Sequence, residues 1–182
     1  MKQIHQSVNE PIKAYEPGSK ERSDLQSKYD EMANQSIEIP LLIGGQEVKT
    51  GDIGNCIMPH DHKNVIAKYH KAGEVEVENA IQSSLEAWKT WSKTSLKERT
   101  KIFRKAARLL QGPWRDTINA ATMLNQSKNV YQAEIDSACE LIDFFNFNSE
   151  YAENMYNNQP LICPEGVNNH LEYRPLEGFV FA

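Results

Sequence analysis

The chain has 182 residues, 40% hydrophobic and 25% charged, which is the balance of a globular domain rather than a disordered or membrane-embedded chain. At this length roughly 70% of the surface that the unfolded chain exposes can be buried, enough for a hydrophobic core. The net charge of −5, with basic residues interspersed among acidic ones, excludes a phosphate-backbone footprint, and no apolar run approaches the ~20 residues that span a bilayer.

Residues 1–8 hold one lysine, no arginine and no apolar stretch, so neither a secretory signal nor a transit peptide is expected and the mature protein should start near here. Residues 1–36 read as a polar N-terminal arm, broken by Pro11, Pro17 and Gly18, with a short solvated helix over residues 20–32. Two extended runs, residues 39–43 and 46–50, flank Gly44-Gly45, whose freedom at positive φ predicts a β-hairpin. A turn-rich stretch through Gly51, Gly54, Pro59 and Asp61 leads to a β-prone strand over residues 65–69.

From Glu74 the period changes. Val77, Ile81, Leu85, Trp88 and Trp91 recur at helical spacing and predict an amphipathic helix with an aromatic-rich face. Ser95 stands three residues before Glu98, a capping box, and the following apolar stripe predicts a second helix that stops at Gly112-Pro113. A third helix is expected over residues 114–123 and a long one over residues 129–154, with Ile135, Ala138, Leu141, Ile142, Phe145 and Tyr151 on its buried side. After a loop marked by Pro160, Pro164 and Gly166, residues 175–178 read as a turn and residues 179–182 as the beginning of a buried strand, which suggests that the natural protein continues. Residues 37–182 are thus expected to form a mixed α/β piece, a hairpin followed by amphipathic helices.

Few residues invite chemistry. His60-Asp61-His62 puts two imidazoles and a carboxylate within three residues, but a closed metal site needs three or four ligands and no second cluster accompanies it, so a solvated turn is expected. His5, His70 and His170 have no neighbour in sequence for base catalysis. The odd number and wide spacing of Cys56, Cys139 and Cys163 argue against a disulfide framework and for a reducing compartment. Cys139 falls on a helical apolar face and reads as core, and nothing beside Cys163 or Cys56 would lower a thiol pKa. Gly44-Gly45 lacks the further glycines and following helix of a phosphate cradle. Trp88, Trp91, Phe103, Phe144, Phe145 and Phe147 could form a ligand cage but read as core or interface. Glu134 and Asp136 lie in the first turns of the long helix, where carboxylates favour the positive end of its dipole.

The organisation resembles the opening of the aldehyde dehydrogenase superfamily: the hairpin around Gly44-Gly45, the strand before the Glu74 helix, and Trp91 closing that helix. Asn9-Glu10-Pro11, the run from Gln132 through Glu134 to Ala138 with Glu140 to Phe145, and Tyr173 to Val180 look like the 1-pyrroline-5-carboxylate dehydrogenase branch. The resemblance implies the N-terminal portion of that fold, leading into the first strand of the cofactor-binding sheet. It implies NAD-dependent oxidation of L-glutamate 5-semialdehyde to L-glutamate in proline degradation and a homo-oligomer; without a transit segment a cytoplasmic location is expected, the mitochondrial matrix being the alternative that eukaryotic relatives imply. It carries no catalytic, cofactor-binding or metal residue onto this chain, because the family's oxyanion asparagine, cofactor lysine, general-base glutamate and nucleophilic cysteine come later. It implies one substrate-binding position, Glu134, near the substrate tunnel. A free-standing, non-catalytic interaction module derived from the same fold is the alternative.

Overall fold

The computed structural model describes residues 6–182. The leader expectation for residues 1–8 falls largely outside them, as does His5.

Helix α1, Lys20–Ala33, begins where Ser19 accepts a hydrogen bond on its side chain from the Arg22 N–H. It is largely solvated, as its polar sequence suggests, but one face docks on the core. Leu25 is buried with Tyr15 and Ala120, and Tyr29, Met32, Met123 and Val130 close around them. One apolar row is enough to dock an otherwise polar helix.

Strands β1, Ile37–Ile39, β2, Leu41–Ile43, and β3, Gln46–Val48, follow at once. β2 and β3 form the expected antiparallel hairpin, with Gly44 and Gly45 at φ of 59° and 77° in its two-residue turn. β4, Ile53–Met58, occupies the stretch that reads as turn-rich, and β5, Asp61–His70, is longer than residues 65–69. The misleading residue is Gly54. It pairs with Tyr69, and a Cβ there would stand 2.2 Å from the Tyr69 ring, so this glycine serves close ring packing inside a strand, not a turn. β5 is the central strand, antiparallel to β4 and parallel to β1.

His70, isolated in sequence, is partnered in space. Its Nδ1 accepts from the backbone N–H groups of Thr50 and Gly51, so the ring proton belongs on Nε2, which lies 2.7 Å from Glu38 Oε1. His60 is likewise a tether at the β4–β5 turn: Nδ1 is 2.7 Å from Ser127 Oγ and Nε2 is 3.3 Å from the Tyr29 hydroxyl.

Helix α2, Glu74–Trp91, and helix α3, Leu96–Gln111, match the predicted periods. Ser95 and Glu98 form the capping box at the start of α3, and Gly112 ends the helix. Helix α4, Arg115–Gln126, runs past residue 123 and stops at Ser127, which adopts a left-handed backbone with φ of 54°. The long helix is continuous from Val130 to Asn157 but not uniform: α5, Val130–Ala133, and α6, Glu140–Asn157, are joined by a π-helical turn over Glu134–Cys139. Ala107, Ala138 and Ile142 form the second core cluster, and Arg104 grips Glu153 with two hydrogen bonds of 2.6 and 2.9 Å, fixing α3 to α6.

Residues 179–182 form no strand among the described residues, and Phe181 is 93% exposed. An apolar extended segment becomes a strand only when a neighbour takes its N–H and C=O groups, and no described strand lies alongside. Among the described residues no helix is long and apolar enough to cross a membrane.

Candidate functional site

The most concentrated chemistry lies where the N-terminal arm crosses α4 and the π-helical turn. Glu134 is fully buried, and its carboxylate accepts from five N–H and O–H donors, with the Cys139 thiol a sixth, weak donor at 3.8 Å. Oε1 takes the Lys13 backbone N–H at 2.8 Å and Arg115 Nη2 at 2.5 Å. Oε2 takes the Tyr15 hydroxyl and Asn119 Nδ2, both at 2.8 Å, and Arg115 Nε at 3.2 Å. Local geometry explains the convergence. Arg115 and Asn119 are four residues apart on α4 and therefore share one face. The wider π turn lets the Glu140 N–H reach back five residues to Ile135 O, and Glu134 opens that turn.

Arg115, itself 1% exposed, also donates through Nη1 to Glu10 Oε1 at 2.5 Å and through Nη2 to Pro11 O at 2.9 Å. Two carboxylates thus face one guanidinium, leaving the cluster one negative charge in excess. Burial by itself would raise the pKa of Glu134, but the hydrogen bonds from Arg115, Lys13 N–H, Tyr15 and Asn119 outweigh it and hold the carboxyl below its ordinary value. Burial likewise opposes the charge of Arg115, and the Glu134 and Glu10 carboxylates more than compensate, raising its pKa. Tyr15 is raised by burial and then by the neighbouring Glu134 carboxylate. Cys139 Sγ lies 3.4 Å from Arg115 Nη2, yet burial and the Glu134 charge push its thiol up to about 11. It is protonated at neutral pH and is no nucleophile there.

Of the titratable residues singled out in the sequence, Glu134 and Cys139 come together in this cluster. Asp136 instead pairs with Lys128 at the surface, 2.6 Å away. Arg115, Asn119 and Tyr15 give no signal in the sequence, and Glu10 enters only through the family resemblance, because more than 100 residues separate the arm from its partners on α4 and the π turn. The aromatic residues form a surface instead of a closed cage. Trp91, Phe103, Phe144 and Phe145 line an open groove between α3 and α6, and Trp88 donates its indole N–H to Leu176 O.

The family model described as "Aldehyde dehydrogenase family" matches residues 47–182. The chain belongs to the aldehyde dehydrogenase family. Among curated proteins, this aldehyde dehydrogenase chain is 46% identical over 175 residues to a probable delta-1-pyrroline-5-carboxylate dehydrogenase of Schizosaccharomyces pombe, covering 96% of the chain and 32% of the relative. It is 46% identical over the same length to the delta-1-pyrroline-5-carboxylate dehydrogenase of Agaricus bisporus, again covering 96% of the chain and 32% of the relative. The crystal structure of the Mycobacterium tuberculosis delta-pyrroline-5-carboxylate dehydrogenase superposes with a TM-score of 0.94 at 39% identity, covering 98% of this chain and 33% of that one. The chain therefore spans about a third of the length of the relatives it matches.

Proposed function

We propose that the protein carrying this segment oxidises L-glutamate 5-semialdehyde, the open form of pyrroline-5-carboxylate, to L-glutamate with NAD, as a step of proline degradation. The observation that carries this reading is the 46% identity to a pyrroline-5-carboxylate dehydrogenase over 96% of the chain. NAD is supported by the Mycobacterium tuberculosis relative, which has been crystallised bound with NAD. Several relatives, those of Dictyostelium discoideum and Homo sapiens among them, are named mitochondrial, which supports the mitochondrial matrix over the cytoplasm for a eukaryotic protein.

The 182 residues do not themselves fit a dinucleotide. Gly44-Gly45 is a hairpin turn and no glycine-rich loop opens a helix among the described residues. Nor does a cysteine fit the nucleophile: Cys139 is buried with its thiol pushed up, and Cys163 stands exposed in a loop. The nucleophile, the general base and the cofactor site belong elsewhere in the protein, and residues 179–182 become the first strand of the cofactor-binding sheet once a neighbour pairs with them.

The part assigned to this segment is substrate recognition through Glu134. Its carboxylate is ionised, fixed by five N–H and O–H donors, and sits in a cluster with one unbalanced negative charge. Glutamate semialdehyde carries an ammonium that such a charge attracts, and a simple aliphatic aldehyde does not. A second reading is favoured by the zero exposure of Glu134: the carboxylate serves only to bind the N-terminal arm to α4.

Two assays test the proposal. The full-length protein should reduce NAD with glutamate semialdehyde, and the purified 182-residue chain should produce no NADH above blank. Turnover by the isolated chain would overturn the division of labour, and a full-length protein inactive on this aldehyde would overturn the substrate.

A further inference from the structure

The neighbours of His70 hold its ring in one protonation state. The residue is buried at the end of β5, with both ring nitrogens engaged. Nδ1 accepts from the backbone N–H groups of Thr50 at 3.0 Å and Gly51 at 3.1 Å, and Nε2 donates to Glu38 Oε1 at 2.7 Å. Two donors aimed at one nitrogen leave it no room for a proton of its own. Gly51 makes the turn at φ of 83°, a conformation that favours glycine. Neither N–H has another acceptor among the described residues, so the loop between β3 and β4 depends on this nitrogen for its grip on the sheet.

A histidine changes charge within roughly pH 5 to 8. In the charged form both nitrogens carry protons, so an Nδ1–H would meet the Thr50 and Gly51 N–H groups head on and leave both without an acceptor. Glu38 pulls the other way, since a carboxylate favours a charged ring beside it. That pull is weak, because the carboxylate is about half exposed and is shared with Lys49 at 3.1 Å. The other charges nearby, Asp52 in the loop and Lys71 after β5, pair with each other at 3.4 Å, and β4 brings none. The cost on the buried Nδ1 side wins, and the ring can charge only when the loop lets go.

We infer that His70 is an acid-release clasp: neutral, it ties the β3–β4 loop, and the β2–β3 hairpin that leads into it, to the central strand of the sheet, and protonated, it frees them. The released form binds the proton more tightly, so the contribution of the clasp is present when the ring is neutral and is lost as pH falls. The hairpin rests on α2, where a Cβ on Gly44 would stand 3.1 Å from Ser83 Oγ, so acid release loosens that contact as well.

The test is hydrogen–deuterium exchange of the full-length protein at about pH 8 and about pH 5.5, corrected for the intrinsic pH dependence of amide exchange. Protection of residues 49–52 should fall about tenfold or more at the lower pH, the effect of losing two hydrogen bonds, while α3 and α6 keep theirs. In His70→Asn the side-chain carbonyl can accept from the same N–H groups and does not titrate, so protection there should be independent of pH. Exchange of the His70 C2 hydrogen in the unaltered protein follows the titration of the ring itself, and its midpoint should coincide with that of loop release. Equal protection of residues 49–52 at both pH values would overturn the inference, as would the same loss in His70→Asn or a loss shared with α3 and α6. So would a ring that titrates while the loop stays closed, a result that decides the matter even if His70→Asn does not fold.

Discussion

The arm cluster packs on the first turns of the long helix and the aromatic surface around its middle, and they differ in whether their main groups are covered. Around Glu134 and Arg115 the buried charges have partners, all supplied by described residues from the arm, α4 and the π turn. Around Trp91, Phe103 and Phe144 the rings stay partly exposed, and Leu161, Val180 and Phe181 are more exposed still. The contrast teaches what each interaction tolerates. A buried charge without a partner costs several kcal/mol, so ionic groups must be satisfied locally, whereas apolar surface can wait for a distant part of a protein to cover it.

The sharpest way to break the comparison is to remove one charge. Arg115→Ala leaves Glu134 buried with its main counter-ion gone and should cost about 3–5 kcal/mol in urea unfolding of the protein carrying this segment. A loss below about 1 kcal/mol would mean that water reaches the cluster. Ile142→Ala, in the apolar core against Ala107 and Ala138, should cost about 2–5 kcal/mol. If it approaches neutrality, α3 and α6 are not packed as described.

A pH series sharpens the contrast further. Cys139 has a folded pKa near 11, raised from about 8.5 in the unfolded chain, so the native state holds its proton more tightly. Its contribution is fully present below about pH 8.5 and is lost as pH rises toward about 11. Glu134 is shifted the other way. Its contribution is present above the unfolded value of about 4.3 and is lost as pH falls through the lower folded value. Cys139→Ala should flatten the alkaline limb of stability against pH, and Glu134→Gln the acid limb. Unchanged limbs would show that neither group titrates differently in the folded state.

The smallest effect is expected at the exposed end. Phe181→Ser should change the stability of the 182-residue chain by no more than about 0.5 kcal/mol, since the ring touches little. It should also lower the binding of an apolar dye by that chain. In the full-length protein, where residues 179–182 are proposed to become a buried strand, the same change should cost about 3–5 kcal/mol. Equal costs in both settings would erase the distinction between the regions.

Elements with a local cause were legible in the sequence. The Gly44-Gly45 hairpin, the period of α2 and the Ser95–Glu98 box each rest on residues within a few positions of one another. What escaped depends on distant partners. β4 was hidden because Gly54 looks like a turn residue until Tyr69 is placed over it, and the π turn because a one-residue change of register leaves the apolar stripe of the long helix nearly intact. The candidate site was the least legible part. Glu134 drew attention through the family resemblance, and its structural reading as a dipole-favoured helix residue gave no hint of Arg115, Asn119 or Tyr15, which only folding brings within 3.2 Å.

The most direct test of the central claim, that the Glu134 carboxylate serves recognition as well as architecture, is the ratio of kcat/KM for glutamate semialdehyde to that for butanal in the full-length protein before and after Glu134→Gln. Loss of a charge-assisted contact worth about 1.5–3 kcal/mol predicts that the ratio falls roughly tenfold to hundredfold. An unchanged ratio, with both aldehydes slowed equally and the melting temperature lowered, would contradict the account and leave Glu134 as the anchor of the N-terminal arm.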